Sequence, residues 1–192
     1  MSFIKASALG PLTASNTATI VDPQTPAGGN ATLGPLVSFA AQNTTSGTNI
    51  DFIGIPSWAK RVTISLCEVS TNGTSPMLVR VGTSSGIVST GYTITHLISN
   101  SGSPATLYTG SSSTDIYLRS GDNASDIKSG HIILTYVSSN TWVVSGLFKS
   151  GTAYFSSLAG SISLSATLDR VRLTTSNGTD TFDNGSANVM YE

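Results

Sequence analysis

What this 192-residue chain lacks is the first guide to it. Charge is scarce: Asp, Glu, Lys and Arg make up 10% of the residues, with a formal net charge of −1, where an ordinary soluble domain carries about 25%. Its nine cations are scattered and offer no clustered positive field of the kind phosphate neutralisation requires, so nucleic acid is not an expected partner. Arg61, Arg80, Arg119, Arg170 and Arg172 could meet on one face of a sheet, but they read as solvated strand positions. The one cysteine, Cys67, has no internal disulfide partner; beside Leu66 and Val69 it reads as a buried thiol acting as a small hydrophobe. The two histidines, His96 and His131, lack a second histidine or cysteine at metal-ligand spacing and read as hydrogen-bonded strand residues. No apolar run approaches the ~20 residues of a membrane span, and residues 1–11 lack a signal-like apolar stretch, so cytoplasmic synthesis without membrane insertion is expected. No window shows a helical stripe of period 3.6.

What is present is β-forming. Ser and Thr together supply roughly 30% of the chain, the hydrophobic fraction is 39% and the mean hydropathy is +0.13. That is too apolar for a disordered chain, and the branched Cβ of Thr suits a pleated strand. Period-two alternation marks at least nine strands from residue 50 onward: Ile50-Asp-Phe-Ile-Gly-Ile, Arg61-Val-Thr-Ile-Ser-Leu-Cys, Met77-Leu-Val-Arg-Val, Tyr92-Thr-Ile-Thr-His-Leu-Ile, Asp115-Ile-Tyr-Leu-Arg, His131-Ile-Ile-Leu-Thr-Tyr-Val, Thr141-Trp-Val-Val-Ser-Gly-Leu-Phe, Ser161-Ile-Ser-Leu-Ser-Ala-Thr-Leu and Arg170-Val-Arg-Leu-Thr-Thr. Asn72-Gly73, residues 82–86, 110–114, 121–130 and 138–140, and Asn177-Gly178 supply turns. Hairpins are expected across Asn177-Gly178 and across Val137-Ser-Ser-Asn-Thr-Trp142, with residues 161–175 and 188–191 pairing as central strands. The pattern predicts an all-β protein: an antiparallel, jelly-roll-like β-sandwich over residues 50–192. An extended N-terminal arm over residues 1–49, rich in proline and poor in apolar surface, is expected to serve for docking and to add one or two strands. Pro56 ends the strand at Ile50, and Trp58 beyond it reads as an apolar lid over one end of the sandwich. Low charge also suits self-association.

Residue patterns that could carry chemistry each have a structural explanation. Gly82-Thr-Ser84-Ser-Gly86 spells a hydrolase nucleophile elbow, but that elbow needs a helix after the turn, and Ile87-Val-Ser-Thr-Gly-Tyr is strand-like. Asp115, Asp122, Asp126, Asp169, Asp180 and Asp183 lie in or beside turns, where Asp bonds its own backbone, so no acid/base pair is assigned. Asp122-Asn-Ala-Ser-Asp126 and Asp180-Thr-Phe-Asp-Asn184 gather oxygen ligands without the order of an EF-hand loop. Trp58 and Trp142 with Tyr92, Tyr108, Tyr117, Tyr136 and Tyr154 could form a sugar-stacking platform or simply pack between strands. No catalytic, cofactor-binding or metal-binding residue is assigned, no cofactor is implied, and the chain reads as non-enzymatic.

Several segments carry a resemblance. Ile50-Asp-Phe-Ile-Gly-Ile-Pro-Ser-Trp-Ala-Lys-Arg-Val-Thr-Ile, Val69-Ser-Thr-Asn-Gly-Thr-Ser, Leu164-Ser-Ala-Thr-Leu-Asp-Arg-Val-Arg-Leu-Thr-Thr, Asn177-Gly-Thr-Asp-Thr-Phe-Asp-Asn-Gly-Ser and Met190-Tyr-Glu resemble a β-rich domain near the C-termini of tail-fibre-like and other virion-associated proteins of tailed bacteriophages and prophages. The likeness covers roughly residues 50 to 192 and transfers no catalytic residue. It implies a structural protein of the virion, made in the bacterial host cytoplasm, that associates with copies of itself, as a homotrimer, and with other tail or capsid proteins. A host-surface glycan is a further possible partner. A tail-fibre or receptor-binding protein would present loops such as residues 99–113, whereas a capsid decoration protein would lay its arm and one sheet face on the shell. The chain has no coiled-coil heptads or repeats of a fibre shaft.

Overall fold

The computed structural model describes residues 19–20, 31–32, 35–101, 106–118, 123–124 and 126–192. The chain forms two compact units, residues 1–35 and 36–192. In the first, β1 (Thr19–Ile20) pairs antiparallel with β2 (Ala31–Thr32).

The second unit is an antiparallel β-sandwich. Its strands are β3 (Val37–Ser38), β4 (Gln42–Asn43), β5 (Ile50–Ile53), β6 (Arg61–Thr71), β7 (Met77–Thr83), β8 (Gly86–Ile87), β9 (Tyr92–Asn100), β10 (Thr106–Ser112), β11 (Ile116–Leu118), β12 (Lys128–Ser138), β13 (Thr141–Ser150), β14 (Tyr154–Ser163), β15 (Arg170–Thr175) and β16 (Phe182–Tyr191). The large sheet runs β10-β9-β14-β13-β12-β6-β16-β3, with β4 also on β16; the small sheet runs β11-β7-β15-β5, with β8 also on β7.

Alternation builds the shared core. Strand β13 buries Trp142, Val144 and Phe148 and turns Val143, Ser145, Leu147 and Lys149 outward; β9 buries Tyr92, Ile94, His96 and Ile98 in the same way. Val62, Ile64, Ile132, Leu134, Leu158, Ile162 and Val189 complete that inner face, against Phe52, Val79, Val81, Ile116, Leu118, Val171 and Leu173 of the small sheet. Each such side chain contributes about 1.5–3 kcal/mol on burial. The large sheet interdigitates within its own face as well: a Cβ on Gly160 would come within 2.0 Å of the Thr93 carbonyl oxygen and 2.8 Å of the Ile94 Cα, so only glycine lets β14 and β9 approach there.

The nine strands expected from alternation coincide with strands, with one exception. Residues 161–168 do not form one strand: β14 ends at Ser163 and the chain crosses between sheets, burying Leu164 and Leu168 on the way. Residues 161–175 therefore do not pair with 188–191 as central strands; β16 pairs with β6, β3 and β4 instead. Asn177-Gly178 does make a turn, with the Gly178 N–H donating to the Thr175 carbonyl at 3.1 Å and Gly178 at φ 69°. Its flanking strands belong to different sheets, so it is a sheet-to-sheet connection and not a hairpin. The β12–β13 hairpin forms as expected, its turn residues Ser139 and Asn140 at φ 48° and 59°, the twist that a two-residue hairpin favours.

Cys67 corrects a second expectation, because it is exposed. Period two that buries Ile64 and Leu66 must turn Cys67 outward. Val69 returns to the core only because Glu68, at φ 55°, forms a bulge that resets the phase. The region expected to offer a loop over residues 99–113 instead holds the end of β9 and strand β10, paired with β9 from Thr106 to Ser112; residues 102–105 lie outside those described.

Candidate functional site

A group of polar side chains gathers where β11 of the small sheet approaches β9 and β10 of the large one. A cleft of about 310 Å³ is lined by His96, Gly110, Ser111, Ser112, Thr114, Asp115 and Tyr117, at the lower end of the size range for small-molecule sites. Gly110 of β10 stands opposite His96 of β9, and a Cβ there would fall 2.5 Å from His96 Nε2. Glycine is thus what lets the imidazole lie across the strand. The His96 and Tyr117 rings stand 5.6 Å apart, tilted by 36°.

Asp115, only 6% exposed, anchors the rim. Ser112 Oγ donates to its Oδ1 at 2.8 Å and Thr114 Oγ1 to its Oδ2 at 2.9 Å. Arg80 approaches Oδ2 at 3.6 Å. The result is a carboxylate, an imidazole, several hydroxyls and an aromatic ring gathered on one cleft. Such a set places hydrogen-bond donors and acceptors and a ring face on one surface.

A hydroxyl from the large sheet closes a break in the small one. The edge of β7 is shared by β11, which pairs with Met77 to Val79, and β8, which pairs with Gly82 and Thr83. In the gap between them, the Val81 N–H donates to the Tyr92 hydroxyl at 2.9 Å, and that hydroxyl donates to the Val88 carbonyl at 3.2 Å. Burial pushes the Tyr92 phenol up to about 12 because the phenolate would lose its hydration.

The other residues singled out in the sequence scatter. Ser84 and Ser85 form the two-residue turn between β7 and β8, so the elbow spelling falls on a β-hairpin with no helix after it. His131 is exposed on the outer face of β12. Trp142 is buried against Tyr136 at 5.4 Å, with Lys60 4.0 Å above the Tyr136 ring. Trp58 is 43% exposed and contacts Tyr191 at 5.6 Å, in a chain of rings that continues through Phe39 to Phe52. Trp58 and Trp142 therefore stand in separate ring contacts, with Tyr191 and Tyr136, and do not share one platform. Asp180 clips two loops: its carboxylate accepts from Asn177 Nδ2 at 2.6 Å and from the Ser75 N–H at 2.9 Å. These bonds, the Asn177 one foremost, hold it below its usual value. Among the described residues no group of three His, Cys, Asp or Glu side chains could hold a metal ion. Arg119 and Asp122 lie outside those residues.

Three arginines do share a face. Arg172 of β15 lies opposite Arg80 of β7 and Asp51 of β5, and Arg170 lies two residues along. Each meets a carboxylate: Arg172 holds Asp51 through two bonds of 2.7 Å, Arg170 holds Asp169 at 2.6 Å, and Arg80 faces Asp115. Matched one to one, they create no positive patch. Arg61 is apart, on the large sheet, paired with Glu192 at 3.4 Å.

Searches against protein-family models, curated proteins and solved structures found no match.

Proposed function

We propose that this chain is a non-enzymatic structural protein of a tailed-phage virion. In this reading it is a receptor-binding-type β-sandwich that docks through its N-terminal segment, associates with copies of itself and offers the cleft at His96, Asp115 and Tyr117 to a host-surface glycan. The observation that carries it is the composition of that cleft: hydroxyls, a carboxylate, an imidazole and an aromatic ring on the margin of a sandwich whose described arginines each meet a carboxylate. The resemblance of residues 50–192 to virion-associated domains supports the same reading. Capsid decoration is the second reading, favoured by exposed apolar side chains on the outer face of the large sheet, which could lie against a shell protein.

The test is to image purified virions labelled with a specific antibody and count the labels. Label on the tail is the expected outcome. Label spread over the head would replace the receptor-binding reading with decoration, and absence of label from intact virions would overturn both.

A further inference from the structure

The outer face of the large sheet shows an ordered pattern of exposed apolar groups. Register places Lys149, Phe155, Ser99 and Leu107 side by side across β13, β14, β9 and β10, and Leu147, Ser157, Leu97 and Thr109 side by side in the adjoining row. Across β14, β9 and β10 large and small side chains therefore alternate in both directions, with Phe155, Leu97 and Leu107 as knobs and Ser157 and Ser99 as the hollows between them; on β13, Leu147 adds a further knob beside Ser157, and Lys149 borders the pattern. In that order the four knobs are 51%, 39%, 70% and 44% exposed. Exposed Val143 and half-buried Ile133 extend the apolar surface.

We infer that this face packs against the same face of a second copy of the chain. Three observations favour that occupant. A checkerboard of knobs and hollows fits another of its own kind after a half-turn, which is the geometry of a two-fold, self-complementary contact. Five strands, β12 to β14 with β9 and β10, spaced about 4.8 Å apart and about 30 Å long, present about 700 Å², close to the ~800 Å² that each partner contributes to a stable interface. The face carries only Lys149 and His131 as ionisable groups on these strands, so bringing like against like meets little repulsion. The adjoining edge is also undefended: β10 is the last strand of its sheet, and its sequence Thr-Leu-Tyr-Thr-Gly-Ser-Ser contains none of the Lys or Pro that protect an open edge.

This assignment deepens the self-association within the virion reading, and its test needs only the purified full-length chain, so failure of either leaves the other standing. Sedimentation equilibrium up to about 100 μM should show wild type at twice the chain mass, as a two-fold contact requires. Leu147→Lys and Leu97→Lys should weaken association roughly tenfold or more, with unchanged circular dichroism and, at concentrations too low for association, an unchanged melting temperature. Ile53→Lys, on the outer face of the small sheet, should leave it intact. Independently of any variant, radical footprinting of wild type should show Leu97, Leu147 and Phe155 protected more strongly as concentration rises. A monomeric wild type would overturn the inference. So would an undisturbed oligomer in both face variants, equal disruption by Ile53→Lys, or concentration-dependent protection confined to another surface.

Discussion

The two sheets of the sandwich present opposite outer faces. On the small sheet, Arg80, Arg170 and Arg172 are matched by Asp115, Asp169 and Asp51, so the surface is polar and ordered by directional bonds. On the large sheet the outer positions are Leu, Phe, Val, Ser and Thr, with Lys149 and His131 the only ionisable groups from β12 to β14 and on β9 and β10. Both faces come from strands with the same alternation and cover the same core. The difference teaches that in a chain with 10% charged residues, charge is informative by location: it gathers on the face that is matched within the chain and is sparse on the face that we infer meets a second copy.

The interior that both faces share should give the largest effect. Leu173→Ala, at a position with no exposure beneath the charged face, should cost about 2–5 kcal/mol. Urea unfolding followed by fluorescence measures it, and a cost below 1 kcal/mol would mean that the small sheet is not held by the common core.

Tyr92 joins the two sheets, and it makes the next test. Tyr92→Phe leaves the Val81 N–H and Val88 carbonyl without the hydroxyl and should cost about 1–3 kcal/mol. The pH dependence has a definite sign. Below pH 10 the phenol is protonated in both folded and unfolded chains. Between pH 10 and about 12 the unfolded chain loses its proton while the folded one keeps it, so stability falls, by about 2–3 kcal/mol in all. Denaturation midpoints across that range should show this loss in wild type and not in Tyr92→Phe.

The remaining two predictions compare the faces directly. Asp51→Asn weakens a bidentate pair that is about one-third exposed, so solvent screening limits the expected cost to about 0.5–1 kcal/mol. A double-mutant cycle with Arg172→Gln isolates the coupling, and a cycle energy of zero would remove the charged face as a source of order. Leu147→Ser, measured at concentrations too low for association, should change stability by no more than about 0.5 kcal/mol. A larger loss would show that the apolar face is already covered within one chain.

How much of this could be read from residues depended on what each strand faces. Strands β7, β9, β12 and β13 were legible because their inner positions carry large apolar groups almost without interruption. Strand β14 was legible only at its end: its inner positions include Ser156 and Gly160, small because Phe148 and Ile94 fill the space beside them. Strand β10 escaped notice because Gly110 stands at an inner position and Leu107 points outward. Sheet membership was illegible, since alternation states which face is buried but not which neighbour pairs, and Leu164 and Leu168 look the same in a strand as in a crossing. Cys67 was misleading for a different reason: Val69, two residues on, is buried only through the bulge at Glu68, so the two do not share a face. Tyr117 was visible among the aromatics that could stack on a sugar, whereas His96 read as a hydrogen-bonded strand residue and Asp115 as a turn carboxylate; their meeting depends on β11 approaching β9. The serine and threonine hydroxyls of the cleft carried no signal in a chain so rich in both. The bond from Arg172 to Asp51 spans 121 positions and has no local signature.

The break in the edge of β7 also bears on how the two sheets come together during folding. The Val81 amide hydrogen is held by a side chain of the opposite sheet, whereas neighbouring amides along β7 are held by strands of their own. Its exchange with solvent deuterium therefore reports when the sheets dock, while those neighbours report when the small sheet forms. A single strand thus carries separate clocks for pairing and for closure, readable at adjacent residues of one spectrum.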